Sequence, residues 1–166
     1  ENPEYIHIQC DPADEGVDYT CSVVYYIIQE QVYVVDVIFT QDSSEITIPR
    51  VVKQIADWGA STAVIESNSS WSLFRKEIKN RVAELGLATN VRATTAHENK
   101  EIRIFNHAPS VLDRFYYKRN AEGEYARYLK CKHSYLKMLK NQKDDGVDCD
   151  TSACQYFKRN GLIPII

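Results

Sequence analysis

The sequence has no long hydrophobic run. Its longest unbroken apolar stretch, Val23 to Ile28, is far short of the roughly 20 residues that cross a bilayer, and no basic, apolar leader precedes it. Glycine and proline are scarce, at 6 and 5 of 166 residues, while 44% are hydrophobic and 26% charged. That balance excludes a disordered or fibrous chain and predicts one globular domain over residues 1–166. No GxxxxGK[ST] loop is present, which removes a P-loop nucleotide site. The five cysteines are odd in number and lack a CxxC pair, so neither a disulfide framework nor a zinc knuckle is indicated. Buried thiols in a reducing intracellular compartment are expected instead. The four histidines stand in contexts that suggest no Ser/His or Cys/His nucleophile.

What is present is a split of charge. The net charge of −3 argues against a general nucleic-acid coat protein. Residues 1–50, however, hold ten acids and one base, a net −9, whereas residues 113–143 hold nine bases and three acids, a net +6. An acidic first segment and a basic later one suit a protein that holds a cation and meets a polyanion.

Tyr5 to Cys10 reads as a strand, and Tyr19 to Gln29 with Val32 to Phe39 reads as an antiparallel hairpin. Ile48 to Gly59 shifts to helical period, with Gly59 as its stop. Thr62 to Ile65, ending in Glu66, is a strand expected to lie parallel to the first. Ser70 is expected to cap a helix carrying the stripe Trp71, Phe74, Ile78, Val82 and Leu85. A strand at Asn90 to Thr94 follows, then a brief helix over Glu98 to Asn106 and an extended Phe115 to Tyr117. An amphipathic helix is expected from Glu124 to Leu139, with most lysines on one side, and a last helix runs to about Arg159. The expected fold class is α/β: a mixed five-stranded sheet, three antiparallel strands then parallel ones, flanked by helices.

Ligands in such sheets gather at the carboxyl ends of parallel strands, where Asp11 and Glu66 stand. Asp11 before Pro12 also suits an ordinary turn, but Glu66 at the end of Ala63-Val64-Ile65 needs a partner or a metal to offset its desolvation. Asp144, Asp145 and Asp148 crowd a helix start. One acid suffices for a cap, and the others repel unless a cation offsets them. Hard carboxylate oxygens point to Mg²⁺ or Mn²⁺. Such a set can hold two ions about 3.5 to 4 Å apart for phosphodiester hydrolysis.

Four segments in order, Asp11-Pro12-Ala13 with Gly16 and then Asp18-Tyr19-Thr20, Val64-Ile65-Glu66-Ser67-Asn68, Asn99-Lys100-Glu101-Ile102-Arg103-Ile104 and Asp144-Asp145-Gly146-Val147-Asp148, resemble the nuclease domain of tailed-bacteriophage terminase large subunits. The chain departs from that pattern at Ser69-Ser70-Trp71 and at Cys149-Asp150. The resemblance implies a ribonuclease H-like fold and a Mg²⁺- or Mn²⁺-dependent endonuclease, with two ions, that cuts concatemeric viral DNA during packaging. It implies Asp11, Glu66 and Asp145 as catalytic acids, with Asp144 and Asp148 also on metal. Lys100 and Arg103 match a Lys-x-x-Arg-Ile segment and are assigned to DNA or domain contacts, a helix-surface salt bridge being the alternative; Lys118, Arg119 and Lys130 are further DNA candidates. The implied partners are double-stranded DNA, an ATPase motor on the same polypeptide but outside this chain, a portal protein and a small terminase subunit. The implied location is the host-cell cytoplasm, with no membrane partner. A junction resolvase or integrase core, or a non-catalytic DNA-binding module, are the competing readings.

Overall fold

The computed structural model describes residues 2–13, 18–66, 72–94, 99–135 and 142–165. Six strands form one mixed sheet: β1 (Tyr5–Asp11), β2 (Thr20–Ile28), β3 (Gln31–Thr40), β4 (Thr62–Glu66), β5 (Asn90–Thr94) and β6 (Phe115–Tyr116). They lie in the order β5-β4-β1-β2-β3-β6. The antiparallel β1-β2-β3 unit and the parallel β1-β4-β5 unit share β1. The expected sheet had five strands. The sixth is the two-residue β6, which pairs parallel with Val32 and Tyr33 and is too short to carry a period. Gln29 and Glu30 join β2 to β3 with φ of 49° and 60°, the backbone of a tight hairpin turn.

Alternation along the strands sends successive side chains to opposite faces. Ile8, Val24 and Ile65 pack under α1 (Ser44–Trp58) and α2 (Ser72–Glu84). Val23, Tyr25 and Val34 pack under α4 (Gly123–His133) and α5 (Asp145–Arg159), and α3 (Lys100–Arg114) lies against α5. All five cysteines are buried with free thiols. No helix among the described residues is long and apolar enough to cross a membrane.

Helix limits differ from expectation where polar first turns or prolines hide them. Helix α1 begins four residues before Ile48, on the polar Ser44-Glu45 turn, and ends as expected at Gly59, whose φ of 62° is left-handed. Helix α3 runs through Pro109 to Arg114 instead of stopping at Asn106. Its buried Ile104 and Val111 hold it against α5 despite the hydrogen bond that proline forgoes. In α2 the stripe consists of Phe74, Ile78 and Val82, while Leu85 follows the helix and is exposed. Ser70, Trp71, Glu98, Leu136 and Leu139 lie outside the described residues, and α4 is described as far as His133.

Candidate active site

Parallel pairing of β1 with β4 places Cys10 opposite Ile65, so Asp11 and Glu66, the next residues, end adjacent strands. Helix α5 crosses the sheet beside them, with the Cys149 thiol directed at the Gln9 carbonyl at 3.4 Å. Its first turn carries Asp148 to the same place. Asp11, Glu66 and Asp148 each offer a carboxylate oxygen, and the three oxygens lie within 4.8 Å of one another.

Burial, followed by the charges of Glu66 and Asp148, pushes the Asp11 carboxyl well above the usual carboxylate range. Burial and then Asp148 raise Glu66 as well. Two cations of α3 answer this charge. Lys100 Nζ donates to Asp144 Oδ1 at 2.8 Å and reaches Asp148 Oδ2 at 3.1 Å. Arg103 Nη2 donates to Asp148 Oδ1. Burial disfavours the charge of Lys100, but Asp148 and Asp144 outweigh it and hold the ammonium above its ordinary range. Four carboxyl groups therefore share two cations in a partly buried space, and the raised Asp11 and Glu66 mark negative charge that those cations do not fully offset. That charge, together with purely hard oxygen donors, fits a divalent cation of the Mg²⁺ or Mn²⁺ type.

The structure divides the Asp144 to Asp148 run. Asp148, not Asp145, stands with Asp11 and Glu66. Asp145 heads the helix stripe Asp145, Cys149, Ala153 and Phe157, whose last three members are core residues. Its Oδ2 accepts from the Tyr19 backbone N–H at 3.4 Å, and burial raises its carboxyl while Lys100 and that N–H oppose the shift. Asp144 is bound by Lys100, and its side chain makes no capping bond. The stripe Asp148, Ser152, Gln155 and Arg159, at spacings of four, three and four, is the signal in the sequence that sets Asp148 on a different face from Asp145.

The expected DNA-binding residues also divide. Arg103 is 3% exposed and ion-paired with Asp148, a buried pair between α3 and α5 rather than a salt bridge on a helix surface, and Lys100 belongs to the same network. Lys118, Arg119 and Lys130 are exposed. Arg119 and Lys130 flank a shallow depression beside α4 with Leu129 and Ser134, and none of the three lines the space around Glu66. A second buried centre carries no motif in the sequence. Asp150 is fully buried and accepts from Tyr25 Oη at 2.7 Å, from Tyr117 Oη at 2.8 Å, and from Tyr128 and Lys132.

The model of the ribonuclease H-like domain of the bacteriophage T7 terminase matches residues 10–115. No curated protein matches the chain in sequence. Among solved structures, a calcium-containing gp2c variant of the bacteriophage Sf6 large terminase subunit superposes with a TM-score of 0.68 at 10% identity, over 93% of this chain and 89% of that one. The large terminase of a thermophilic bacteriophage, in complex with ADP, gives 0.68 at 15% identity over 99% of this chain, which spans 41% of that longer one. The fowlpox virus Holliday junction resolvase gives 0.60 at 11% identity, over 93% and 99% of the two chains. Identities this low show a common fold, and the family match through Asp11 and Glu66 identifies the lineage: the chain belongs to the terminases, as a ribonuclease H-like domain of the bacteriophage T7 kind.

Proposed function

We propose that this domain is a Mg²⁺- or Mn²⁺-dependent endonuclease that cuts concatemeric double-stranded viral DNA during genome packaging. The observation that carries the reading is the convergence of Asp11, Glu66 and Asp148 within 4.8 Å in a family of terminase nuclease-fold domains. These three carboxylates would hold the ions, with Asp144 and Asp145 in supporting positions. When bound, divalent ions activate water for attack on a phosphodiester and stabilise charge on the leaving oxygen.

The chain's own residues do the positioning. Asp11 and Glu66 are fixed by the ends of two paired strands, and Arg103 and Lys100 fix both oxygens of Asp148. Lys100 spans Asp144 and Asp148 and so keeps the start of α5 from spreading under its own negative charge. The Tyr19 N–H ties Asp145 to the approach to β2. Exposed Lys118, Arg119 and Lys130 would add sequence-independent attraction for duplex DNA at a distance from the acids.

The similar chain of the thermophilic bacteriophage, of which this one spans 41%, supports an ATPase motor on the same polypeptide. Portal protein and small terminase subunit are the partners that this role would require, in the cytoplasm of an infected host cell. Incubation with supercoiled plasmid tests the activity. Nicked and linear products are expected with Mg²⁺ or Mn²⁺ and none with EDTA, and Asp11→Asn should abolish them. Equal cutting by Asp11→Asn would refute the assignment. The likeness to the fowlpox resolvase motivates a four-way junction as second substrate. Strong preference for the junction over linear duplex would favour the resolvase reading.

A further inference from the structure

The acid cluster does not end in bulk solvent on all sides. Glu66 and Arg103 also line a polar cleft of about 640 Å³ whose wall includes Tyr156, Lys158 and Arg159. Helix α5 forms one side of it through Ser152, Gln155 and Arg159, which continue the polar stripe that starts at Asp148. Eleven residues at about 1.5 Å each carry that stripe roughly 16 Å from the acids.

Charge along the cleft is segregated. Glu66, at the cluster end, is the one acid among the described residues that line it, while Lys158 and Arg159 stand at the far end of α5. Lys158 is 8% exposed yet makes no ion pair or side-chain hydrogen bond among the described residues. Arg103 is bound to Asp148 through Nη2, but its Nε is buried with no hydrogen-bond partner among the described residues. Withdrawing part of the Arg103 guanidinium from water without a partner is unfavourable, and with the cations Lys158 and Arg159 also lining it the cleft is a place that an anion stabilises. Tyr156 adds a flat surface, its ring held against His7 with centroids 4.6 Å apart.

We infer that this cleft binds one strand of the nucleic acid beside the phosphate that is cut, with Lys158 and Arg159 on backbone phosphates and Tyr156 against a base. Aromatic stacking plus cations is the usual composition of a single-strand path. The inference rests on the nuclease reading of the acids, but binding is measured without cleavage.

The test is fluorescence anisotropy of a labelled 12-nucleotide single-stranded DNA with the 166-residue chain in EDTA. Lys158→Gln and Arg159→Gln should each weaken binding at least threefold, and the double variant at least tenfold. The slope of log affinity against log salt should shrink by about 1.4 in the double variant, about 0.7 for each phosphate that is no longer neutralised. Binding by the double variant within twofold of the parent, or displacement of the oligonucleotide by 10 mM inorganic phosphate at constant ionic strength, would overturn the proposal, the latter because it indicates a small-anion site. Should Lys158→Gln fail to fold by thermal melting, the exposed Arg159→Gln decides alone. Failure of the nuclease reading shows separately, as a chain that binds the oligonucleotide but leaves plasmid uncut with Mn²⁺.

Discussion

Asp148 and Asp150 sit two residues apart on α5 and face opposite sides of it. Both are buried, at 2% and 0% exposure, and both are paired with a cation, Asp148 with Arg103 and Lys100, Asp150 with Lys132. Their neighbours separate them. Asp150 meets three tyrosine hydroxyls that donate to it, so its lone pairs are satisfied and its charge is balanced by Lys132. Burial, and after it the Asp150 charge, pushes those phenols up, so they remain protonated donors. Asp148 meets two more carboxyl groups, which burial and mutual repulsion raise above their usual range. A buried carboxylate is therefore no sign of chemistry by itself; unbalanced carboxylates gathered at strand ends are.

The sharpest break of this comparison is functional. Asp148→Asn keeps the side-chain shape but removes one ligand charge, and plasmid cleavage should fall about a thousandfold, since metal-assisted charge stabilisation supplies several kcal/mol. Melting temperature should fall less than at Asp150, because relief of repulsion with Asp11 and Glu66 offsets part of what Arg103 and Lys100 lose with the charge of their partner. At Asp150 the pattern should invert. Asp150→Ala leaves Lys132 and three hydroxyls without their acceptor and should destabilise the fold by about 3 kcal/mol or more in urea unfolding.

His7 sharpens the contrast as a third buried titratable group, one that is kept neutral. Burial lowers its pKa from 6.5 to about 4, against the opposing hydrogen bond to Gln9. The unfolded chain thus takes up a proton more readily than the folded one, so this contribution to stability is present above pH 6.5 and lost as pH falls towards 4. Between pH 7.5 and 4.5, His7→Gln should lose about 2 to 3 kcal/mol less stability than the parent, by urea unfolding at each pH. Asp145→Asn should have the smallest effect, lowering plasmid cleavage by less than about tenfold, or roughly 1.4 kcal/mol. A loss there as large as that of Asp148→Asn would restore Asp145 to the centre.

The elements that carry strong periods were legible in the sequence. The β2-β3 hairpin, the parallel return of β4 and the placing of Asp11 and Glu66 at strand ends all follow from alternation and chain order. Short β6 was legible as an extended segment but not as a strand of the sheet, because a two-residue strand is defined by its pairing with β3. The length of α3 was hidden by Pro109, a helix-breaking signal overruled by packing. Choosing among Asp144, Asp145 and Asp148 required helix phase against the sheet, which is a tertiary quantity. The same holds for Lys100 and Arg103: a Lys-x-x-Arg pair on one helix face shows two cations, and only the docking of α3 on α5 turns them inward onto Asp148.

Calorimetric titration of Mn²⁺ into the chain at neutral pH, and into Asp148→Asn and Asp150→Asn, tests the central assignment most directly. Binding should weaken at least tenfold in Asp148→Asn and stay within threefold of the parent in folded Asp150→Asn. Equal affinity in the parent and Asp148→Asn would contradict the assignment of Asp11, Glu66 and Asp148 as the metal centre.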